Sequence, residues 1–529
     1  MIETPQLYKK WVPKWAVRIC IFMLLVPNLL LFTLSTASIN AACGFYGIDP
    51  NDANYTLIIL YAALVSYFPL ERRFSSYLVT KDYMLIALIL EVVTAYGGYC
   101  ATTLGTLLFF RFLQGIANLS LVAICISLIF NHLKTERARE IGYSVVYCIL
   151  LCISPVTTMV TAPFLDSLNY NDLYLLVTYA FIPGGIFAMI ILNRHRLNRK
   201  IPLYQLDWQS FVIYAAALFS LTYALVYGQQ LNWFSDKRIT FALIIFVVAL
   251  SVYLIRQRHL KRPYLNLEIY KYPAYRTGIA LIIILYLARG AFSFTTLFFT
   301  QVLKMDPMHL GNILIFNVIG AIAGTLISSR MMIFKRSFYL IWMLGFSVLL
   351  LHYTWMIFLF SPQANVAVYY LPLLVQGMGT GILLTPIIVF MVTSVPMNLG
   401  ATAGATAVSM RLLGTTISMA LINYFQLYDT GLHIDRFEHQ LSFMDPAAIG
   451  RLQIYTHVFA RHGSDTNSSR IGATHLLKNL LDQQALLKTA IDYYTLTSVL
   501  IFLTLIALAI LPRLKGEKVT LDAVQDIPV

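Results

Sequence analysis

The chain alternates between long apolar runs and short polar segments. Most of these runs approach or exceed the ~20 residues that an α-helix needs to cross the hydrocarbon core of a bilayer. The second run is shorter, but Asn51-Asp52 precede it and Arg72-Arg73 follow it. The pattern predicts an all-α polytopic membrane protein with fourteen transmembrane helices. The predicted helices span 15–37, 55–70, 83–99, 104–130, 141–165, 173–192, 208–227, 239–255, 278–302, 310–329, 338–360, 366–395, 400–425 and 491–511.

The composition supports this class. Of the 529 residues, 59% are hydrophobic and 12% are charged, and the mean hydropathy is +0.72. A soluble domain carries about a quarter charged residues. The chain therefore lacks the polar surface that a water-soluble protein of this length needs, and we expect a lipid bilayer around it.

A net charge of +14 is also typical of nucleic-acid binding proteins, but the distribution of Lys and Arg argues against that partner. If the N-terminus is cytoplasmic, the inside segments hold 26 of the 38 basic residues. The short outside loops hold three, Lys237, Arg238 and Lys304. Such an asymmetry is typical of multi-pass membrane proteins with positively charged cytoplasmic loops. We therefore predict that both termini are cytoplasmic and that no nucleic acid is bound.

One short sequence occurs in two of the predicted helices. Helix 4 contains Gln114-Gly115 and helix 12 contains Gln376-Gly377. These positions are equivalent in two six-helix halves only if two helices are inserted between the halves; chance similarity is the alternative. The repeat predicts a 6+2+6 arrangement, since transporters are commonly built from repeated halves. The predicted units are an N-terminal half over 1–200, inserted helices 7 and 8 over 201–272, and a C-terminal half over 273–529 with a long external loop at 426–490.

Several motifs resemble those of the major facilitator superfamily. The sequence from Arg111 to Gly115 is similar to that family's R-x-x-Q-G motif in helix 4. Asp207-Trp208, which open predicted helix 7, and Arg411-Leu412-Leu413-Gly414 in helix 13 are similar to the fourteen-helix drug:proton antiporter branch (EmrB/QacA type). The resemblance covers nearly the whole chain. It implies a major facilitator fold that exports small amphipathic compounds in exchange for protons.

The sequence also departs from that branch. Ser35 stands where the helix 1 motif of the family has an acid. The loop between helices 2 and 3 lacks both glycines and the aspartate of the family motif. The Gly-Pro pairs of helix 5 survive only as Ser154-Pro155 and Ala162-Pro163. These departures concern proton antiport and drug specificity rather than the fold.

Glu91 is the only carboxylate near the middle of a predicted helix, and Arg111 in the antiparallel neighbour is at a similar depth. Ionisable groups inside a bilayer are costly and commonly mark transport pathways. Burial and a nearby arginine act on a glutamate in opposite directions, which suits a group that must bind and release a proton. We therefore assign proton coupling to Glu91 and Arg111. A permanent structural ion pair is the alternative.

Other polar and aromatic residues inside the predicted helices are candidates for a substrate cavity. Gln114 and Asn118 share a helix face with Arg111. Arg289 lies in a Phe-rich part of helix 9, where flat apolar substrates could bind and an arginine would attract anionic ones. Packing against lipid or protein is the alternative for the individual residues. The predicted cavity residues are Gln114, Asn118, Arg289, Phe292, Phe294, Asn317 and Arg411.

Four glycines in the predicted helices and five histidines in segment 426–490 have predicted structural roles. We expect Gly115, Gly377, Gly379 and Gly381 to allow close helix packing, as small residues do in membrane helices. Five histidines, His433, His439, His457, His462 and His475, occur in segment 426–490 without the spacing of a known metal ligand set. We expect a solvated, partly helical loop there, with no metal, no cofactor and no catalytic residue.

The sequence therefore predicts a proton-coupled exporter of small amphipathic compounds in the bacterial cytoplasmic (inner) membrane. Its partners would be the small-molecule substrate and protons. By the resemblance, a periplasmic adaptor and an outer-membrane channel are further candidate partners. Uptake or exchange of a small metabolite by the same fold is the first alternative, since a fold does not fix direction or substrate. A polytopic membrane enzyme is the second, but the helices contain no catalytic cluster.

Overall fold

The computed structural model describes residues 7–515 except 10, 134–137, 166, 197–199, 201–205, 441–445 and 463–464. Within these residues, fourteen helices are long and apolar enough to span a membrane. This confirms the predicted all-α polytopic fold. The helices, α1 to α14 in chain order, are Lys14–Ala37, Pro50–Tyr77, Thr80–Cys100, Leu104–Leu133, Ala138–Leu165, Asp172–Ile191, Trp208–Tyr227, Lys237–His259, Pro273–Val302, Pro307–Ile333, Phe338–Leu359, Tyr370–Thr393, Gly400–Tyr424 and Thr466–Lys515.

The largest departure from the predicted helix bounds concerns segment 426–490. We expected a long, partly helical loop, but the chain continues from α13 through a π-helical turn, Phe425–Asp429, into the helix Thr430–Gln440. A further helix, Pro446–Arg461, precedes α14. α14 itself begins 25 residues before the predicted position 491, because its first half is too polar to be recognised as a membrane helix. The helices over 430–440 and 446–461 both pack against α14.

Twelve of the fourteen helices form two groups with separate internal contacts. Helices α1–α6, here called the N-terminal half, pack against one another, as do α9–α14, the C-terminal half. The halves meet where α5 packs on α10 and where α2 packs on α13. α7 lies against both α2 and α13, whereas most of α8 is exposed and packs mainly on α7.

Three segments that were predicted to be cytoplasmic meet at one end of the N-terminal half. The backbone N–H of Lys9 donates to Ile191 O at 3.1 Å, and that of Thr80 donates to His195 O at 3.2 Å. Arg194 and Asp82 form an exposed ion pair at 3.6 Å. The N-terminal segment and the connections after α2 and α6 therefore share a side. Arg137 and Lys518, which also entered the charge count, lie outside the described residues.

The two Gln-Gly sequences occupy similar helix contacts. A Cβ atom added to Gly115 on α4 would lie 2.2 Å from Leu60 O on α2. A Cβ atom added to Gly377 on α12 would lie 2.0 Å from Asn317 O on α10. Such close backbone approach requires glycine. α2 with α4 and α10 with α12 therefore make the same kind of close contact at the two Gln-Gly sequences.

Candidate functional site

Arg111 on α4 is buried, and neutral oxygen atoms from three helices surround its guanidinium. It donates to Leu31 O at 2.7 Å, to Gln114 Oε1 at 2.7 Å and to the Tyr174 hydroxyl at 2.8 Å. It also donates to the Ser35 hydroxyl. Ser35 and Leu31 belong to α1 and Tyr174 to α6, so the arginine joins three helices of the N-terminal half. Several charge-assisted hydrogen bonds stabilise a cation that burial would otherwise penalise.

Glu91 on α3 is completely buried, and neither of its carboxyl oxygens has a hydrogen-bonding partner in the described part of the chain. Arg111 and Asn118 are near enough to act on it electrostatically. Nevertheless, Arg111 directs its hydrogen bonds to other groups, so the direct Glu91–Arg111 ion pair considered from the sequence does not form in this conformation. A buried group without partners is costly, and this cost is much smaller when the carboxyl is protonated and neutral.

Asn118 lies one turn beyond Gln114 on the same face of α4. Its amide donates to Asn28 O at 2.8 Å and to Asn28 Oδ1 at 2.9 Å, and Asn28 donates in return to Asn118 O at 3.0 Å. Gln114 accepts its hydrogen bond from Arg111. The structure thus places this predicted cavity face against α1, inside the N-terminal half. Interhelical hydrogen bonds of this kind fix helices relative to each other.

A second buried arginine, Arg411 on α13, lies where the two halves meet. Its Nε donates to the Tyr286 hydroxyl on α9 at 2.8 Å. Its guanidinium carbon lies 5.5 Å from the ring centroid of Tyr286, 5.6 Å from that of Tyr147 on α5 and 6.0 Å from that of Tyr61 on α2. Two of these rings come from the N-terminal half and one from the C-terminal half. Such distances are typical of cation–π interactions.

Arg289 on α9 shares one of these tyrosines, because its guanidinium carbon lies 5.9 Å from the Tyr286 ring. It is only partly buried. Phe292 is also partly buried, whereas Phe294 is buried against Tyr493 of α14 at a centroid distance of 4.8 Å. The structure therefore brings Arg289 together with Arg411 but places Phe294 in the packed interior of the C-terminal half.

The remaining predicted residues mediate contacts within the C-terminal half. Asn317 on α10 donates to Leu373 O at 3.2 Å and to the side-chain oxygen of Gln376, both on α12. Cβ atoms added to Gly377 and Gly381 would meet the α10 backbone, and one added to Gly379 would meet Leu349 of α11 at 2.7 Å. These residues form the seam between α12 and its neighbours.

One group in the described residues has ligand atoms spaced closely enough to hold a metal ion. It consists of Asp429, His433 and Asp492, whose ligand atoms lie within 4.8 Å of one another. His433 Nε2 lies 2.8 Å from Asp492 Oδ2 and 3.6 Å from Asp429 Oδ2. His433 is buried, so the expectation that all five histidines are solvated is wrong for this one. The other four, His439, His457, His462 and His475, are exposed.

Sequence reasoning did not identify any tyrosine as a partner of a buried arginine, although Tyr286 was expected to lie beside Arg289 in helix 9. Tyr61, Tyr147, Tyr174 and Tyr286 all contact a buried arginine. The sequence contains 33 tyrosines, and their type alone does not separate these four from the rest. A useful signal would have been their position within apolar runs, where a hydroxyl needs a buried partner.

In the described part of the chain, fourteen helices are long and apolar enough to span a membrane, twelve of them form two contacting six-helix groups, and a buried arginine lies where the groups meet. These features are those of a transporter of the major facilitator type. Residues 16–419 match the Major Facilitator Superfamily, and the chain belongs to that family. Membership of this family points to a transporter of small molecules rather than an enzyme, and to a multi-pass membrane protein.

The curated relatives include multidrug-type transporters at low identity. The chain is 19% identical to the probable multidrug resistance protein EmrY of Escherichia coli K12 over 499 residues, which cover 92% of this chain and 93% of the relative. It is 22% identical to the colistin resistance protein EmrB of Acinetobacter baumannii over 449 residues, 82% of this chain and 84% of the relative. It is 25% identical to the multidrug resistance protein Stp of Mycobacterium tuberculosis over 315 residues, 58% and 56% of the two chains.

Solved structures share the fold. A POT family transporter in complex with a thioalcohol-conjugated peptide has a TM-score of 0.59 at 12% identity, covering 94% of this chain and 96% of that one. Another POT family transporter, in complex with 5-aminolevulinic acid, has a TM-score of 0.58 at 13% identity, with coverages of 95% and 97%. At these identities the likeness concerns the fold alone.

Proposed function

We propose that this protein exports small amphipathic compounds in exchange for protons by alternating access. Family membership and relatives named for multidrug or colistin resistance support export of this kind. In alternating access, two halves rock around a site near the middle of the membrane, so that the site opens to one side at a time. The contacts between α5 and α10 and between α2 and α13 are the surfaces along which the halves would move.

The observation that carries the proton-coupling part is the state of Glu91. It is a fully buried carboxyl without a hydrogen-bonding partner among the described residues, next to an arginine whose two terminal nitrogens already donate to neutral acceptors. When Glu91 is protonated, the free-energy cost of burying its carboxyl is small, whereas the ionised carboxylate needs a hydrogen-bonding partner. A conformation that turns Arg111 or Asn118 toward the carboxyl would stabilise the ionised form. Glu91 would then bind a proton in one conformation and release it in the other, which is the differential binding that coupling needs.

Roles for the other predicted residues follow from their contacts. Arg411 lies at the junction of the halves and Arg289 shares its Tyr286 ring. We assign both arginines to the substrate cavity, together with the partly buried Phe292, which follows Arg289 by three residues on α9. Gln114 and Asn118 bind within the N-terminal half, and we assign them to positioning Arg111 and α1 beside Glu91. Asn317 and Phe294 contribute to packing in the C-terminal half.

The proposal also covers the membrane location, the orientation, the domain division and the partners of the protein. The charge asymmetry supports two cytoplasmic termini and a location in the bacterial inner membrane. The division 1–200, 201–272 and 273–529 is supported by the peripheral packing of α8 and by the position of α7 beside both halves. The helices over 430–440 and 446–461, on the side opposite to the termini, offer a surface for a periplasmic adaptor that would pass substrate to an outer-membrane channel.

Proton-driven dye flux in proteoliposomes tests the function. Purified wild-type protein should concentrate an amphipathic dye when an imposed proton gradient is present, and an uncoupler should abolish this accumulation. Glu91→Gln should be folded and should bind dye, yet lose gradient-driven accumulation at every pH, because the glutamine cannot titrate. Glu268→Gln, which changes an exposed carboxylate outside the membrane-spanning helices, is the matched control and should transport like wild type.

Two results would contradict the proposal. Accumulation by Glu91→Gln that equals wild type would remove Glu91 from coupling. Dye movement that is independent of the gradient, or gradient-driven movement in the opposite direction, would favour the alternative of uptake or exchange by the same fold.

A further inference from the structure

We propose that the junction around Arg411 and Arg289 is an anion site, and that the substrates are flat aromatic compounds with one negative charge, such as a carboxylate or a phenolate. The inference rests on the proposed transport function and narrows its substrate class. It is carried by the charge, the free hydrogen-bond donors and the aromatic rings at this junction.

The fixed charge at the junction is positive and uncompensated. Between positions 269 and 428 the sequence contains a single carboxylate, Asp306, which is exposed at the start of α10 and bonded to His309. Within the described residues, no carboxylate lies within 4.0 Å of Arg289 or Arg411. Glu91 lies on α3, packed against α4 and α6 rather than at the junction. Arginine remains charged in proteins, so an anion must come from elsewhere if the charge is to be balanced.

Hydrogen-bond donors are also free at the junction. A guanidinium has five N–H donors. The one hydrogen bond that Arg411 makes to a described residue uses Nε, with the Tyr286 hydroxyl as acceptor. Tyr61 is only 5% exposed, and its buried hydroxyl has no hydrogen-bonding partner in the described part of the chain. A carboxylate or phenolate oxygen could accept from both groups, whereas a cationic or purely donating ligand could not.

The surrounding rings determine the shape of the ligand. Tyr61, Tyr147 and Tyr286 present their rings to Arg411 from three helices, and Tyr147 stacks on Tyr143 at 5.9 Å. Aromatic side chains favour flat apolar ligands. An organic cation could also stack on such rings, but here it would approach two arginines of like charge that share the Tyr286 ring. Repulsion between like charges excludes that class of ligand.

Matched ligands test the proposal without a proton gradient. Radiolabelled 2-naphthoate, 2-naphthamide and 2-naphthyltrimethylammonium share one ring system and differ in charge. We would measure their binding to the purified full chain in nanodiscs by equilibrium dialysis. The anion should bind at least about tenfold more tightly than either analogue, since a charge-assisted hydrogen bond in a desolvated site is worth about that factor. Equal or tighter binding of the cation would overturn the proposal.

Two variants locate the site. Arg411→Gln should weaken naphthoate binding by about tenfold or more and leave naphthamide within about twofold. Tyr61→Phe keeps the ring but removes the unpartnered hydroxyl, and it should weaken naphthoate selectively by a few-fold, so the site can be tested even if Arg411→Gln does not fold. Arg330→Gln, an exposed arginine at the end of α10, controls for net charge and should change nothing. Wild-type naphthoate affinity in both junction variants would refute the assignment.

The outcome is separable from that of the proposed function. Gradient-driven export of a cationic dye without selective naphthoate binding would leave proton-coupled export standing and reject the anion site. Selective naphthoate binding without gradient-driven export would support the anion site and reject proton-coupled export.

Discussion

The two halves of the protein bury their arginines in different ways. Arg111 lies inside the N-terminal half, where α1, α4 and α6 supply all four of its acceptors. Arg411 belongs to the C-terminal half, but two of the three rings around it, those of Tyr61 and Tyr147, belong to the other half. When the halves move relative to each other, the surroundings of Arg111 can stay intact, whereas those of Arg411 must change.

This difference suits the two arginines to different roles. An arginine whose partners move with it is suited to maintaining the structure around Glu91. An arginine whose partners lie across the moving boundary is suited to sensing a substrate and the conformation of the transporter together. The helix pairs that support the two arginines are nonetheless alike, since Gly115 and Gly377 allow the same close contact in each half.

The largest expected effect is a difference in stability between variants of the two arginines. Arg111→Ala leaves the hydroxyls of Ser35 and Tyr174 and the carbonyl of Leu31 without their donor, so we expect a loss of at least about 3 kcal/mol in the free energy of unfolding. Arg411→Ala removes one hydrogen bond but also an uncompensated charge, so we expect a change within about 1 kcal/mol. Thermal unfolding in detergent measures both. Equal losses would break the comparison.

The next largest effect concerns the close helix contacts at Gly115 and Gly377. Gly115→Ala and Gly377→Ala each place a methyl group against a neighbouring backbone carbonyl, so the helices must separate, at a cost of about 1–3 kcal/mol in stability. Gly404→Ala is the matched control, because no atom beyond the local backbone of α13 lies within 4 Å of the added Cβ. Unfolding temperatures should fall in the first two variants and not in the third. A loss in only one of the two would show that the seams are not equivalent.

A smaller effect concerns the helix Thr430–Gln440, which follows α13. His433→Gln removes the hydrogen bond to Asp492 that joins this helix to α14, and we expect a loss of about 1 kcal/mol in stability. Changing His439, His457, His462 and His475 together to Gln should leave transport within about twofold of wild type, since exposed substitutions have small effects. If the fourfold variant loses transport in a metal-dependent way, the exposed histidines are ligands and not surface residues.

The smallest effect concerns α7, which contacts both halves. Asp207 caps α7 and pairs with Arg256 of α8 at 2.9 Å. Burial opposes ionisation of Asp207, but hydrogen bonds from Ser210 and Arg256 outweigh it and hold its pKa below the ordinary value. The stabilisation is present above the unfolded pKa and is lost as pH falls through the lower folded pKa. Asp207→Asn should therefore cost up to about 1 kcal/mol at pH 7 and nothing in strong acid. Unfolding curves from pH 7 downward would show whether the difference disappears.

Much of the fold could be predicted from the sequence because its signals are local. The length of each apolar run specifies a membrane helix, and the distribution of Lys and Arg predicts sidedness. Gln114-Gly115 and Gln376-Gly377 predicted a repeat, and the R-x-x-Q-G motif predicted the family that the comparison then confirmed. The extended start of α14 was missed because its residues are too polar for the membrane signal.

The tertiary structure alone decided which buried groups meet. The helices are apolar on nearly every face, so their sequences do not indicate which side turns inward. For that reason the sequence could place Glu91 and Arg111 at one depth but could not show that Arg111 bonds to Ser35 and Tyr174 instead. The contact of Arg411 with Tyr61 likewise joins residues 350 positions apart on different halves. Such contacts depend on the rotation of each helix about its axis, which only the packing of all the helices fixes.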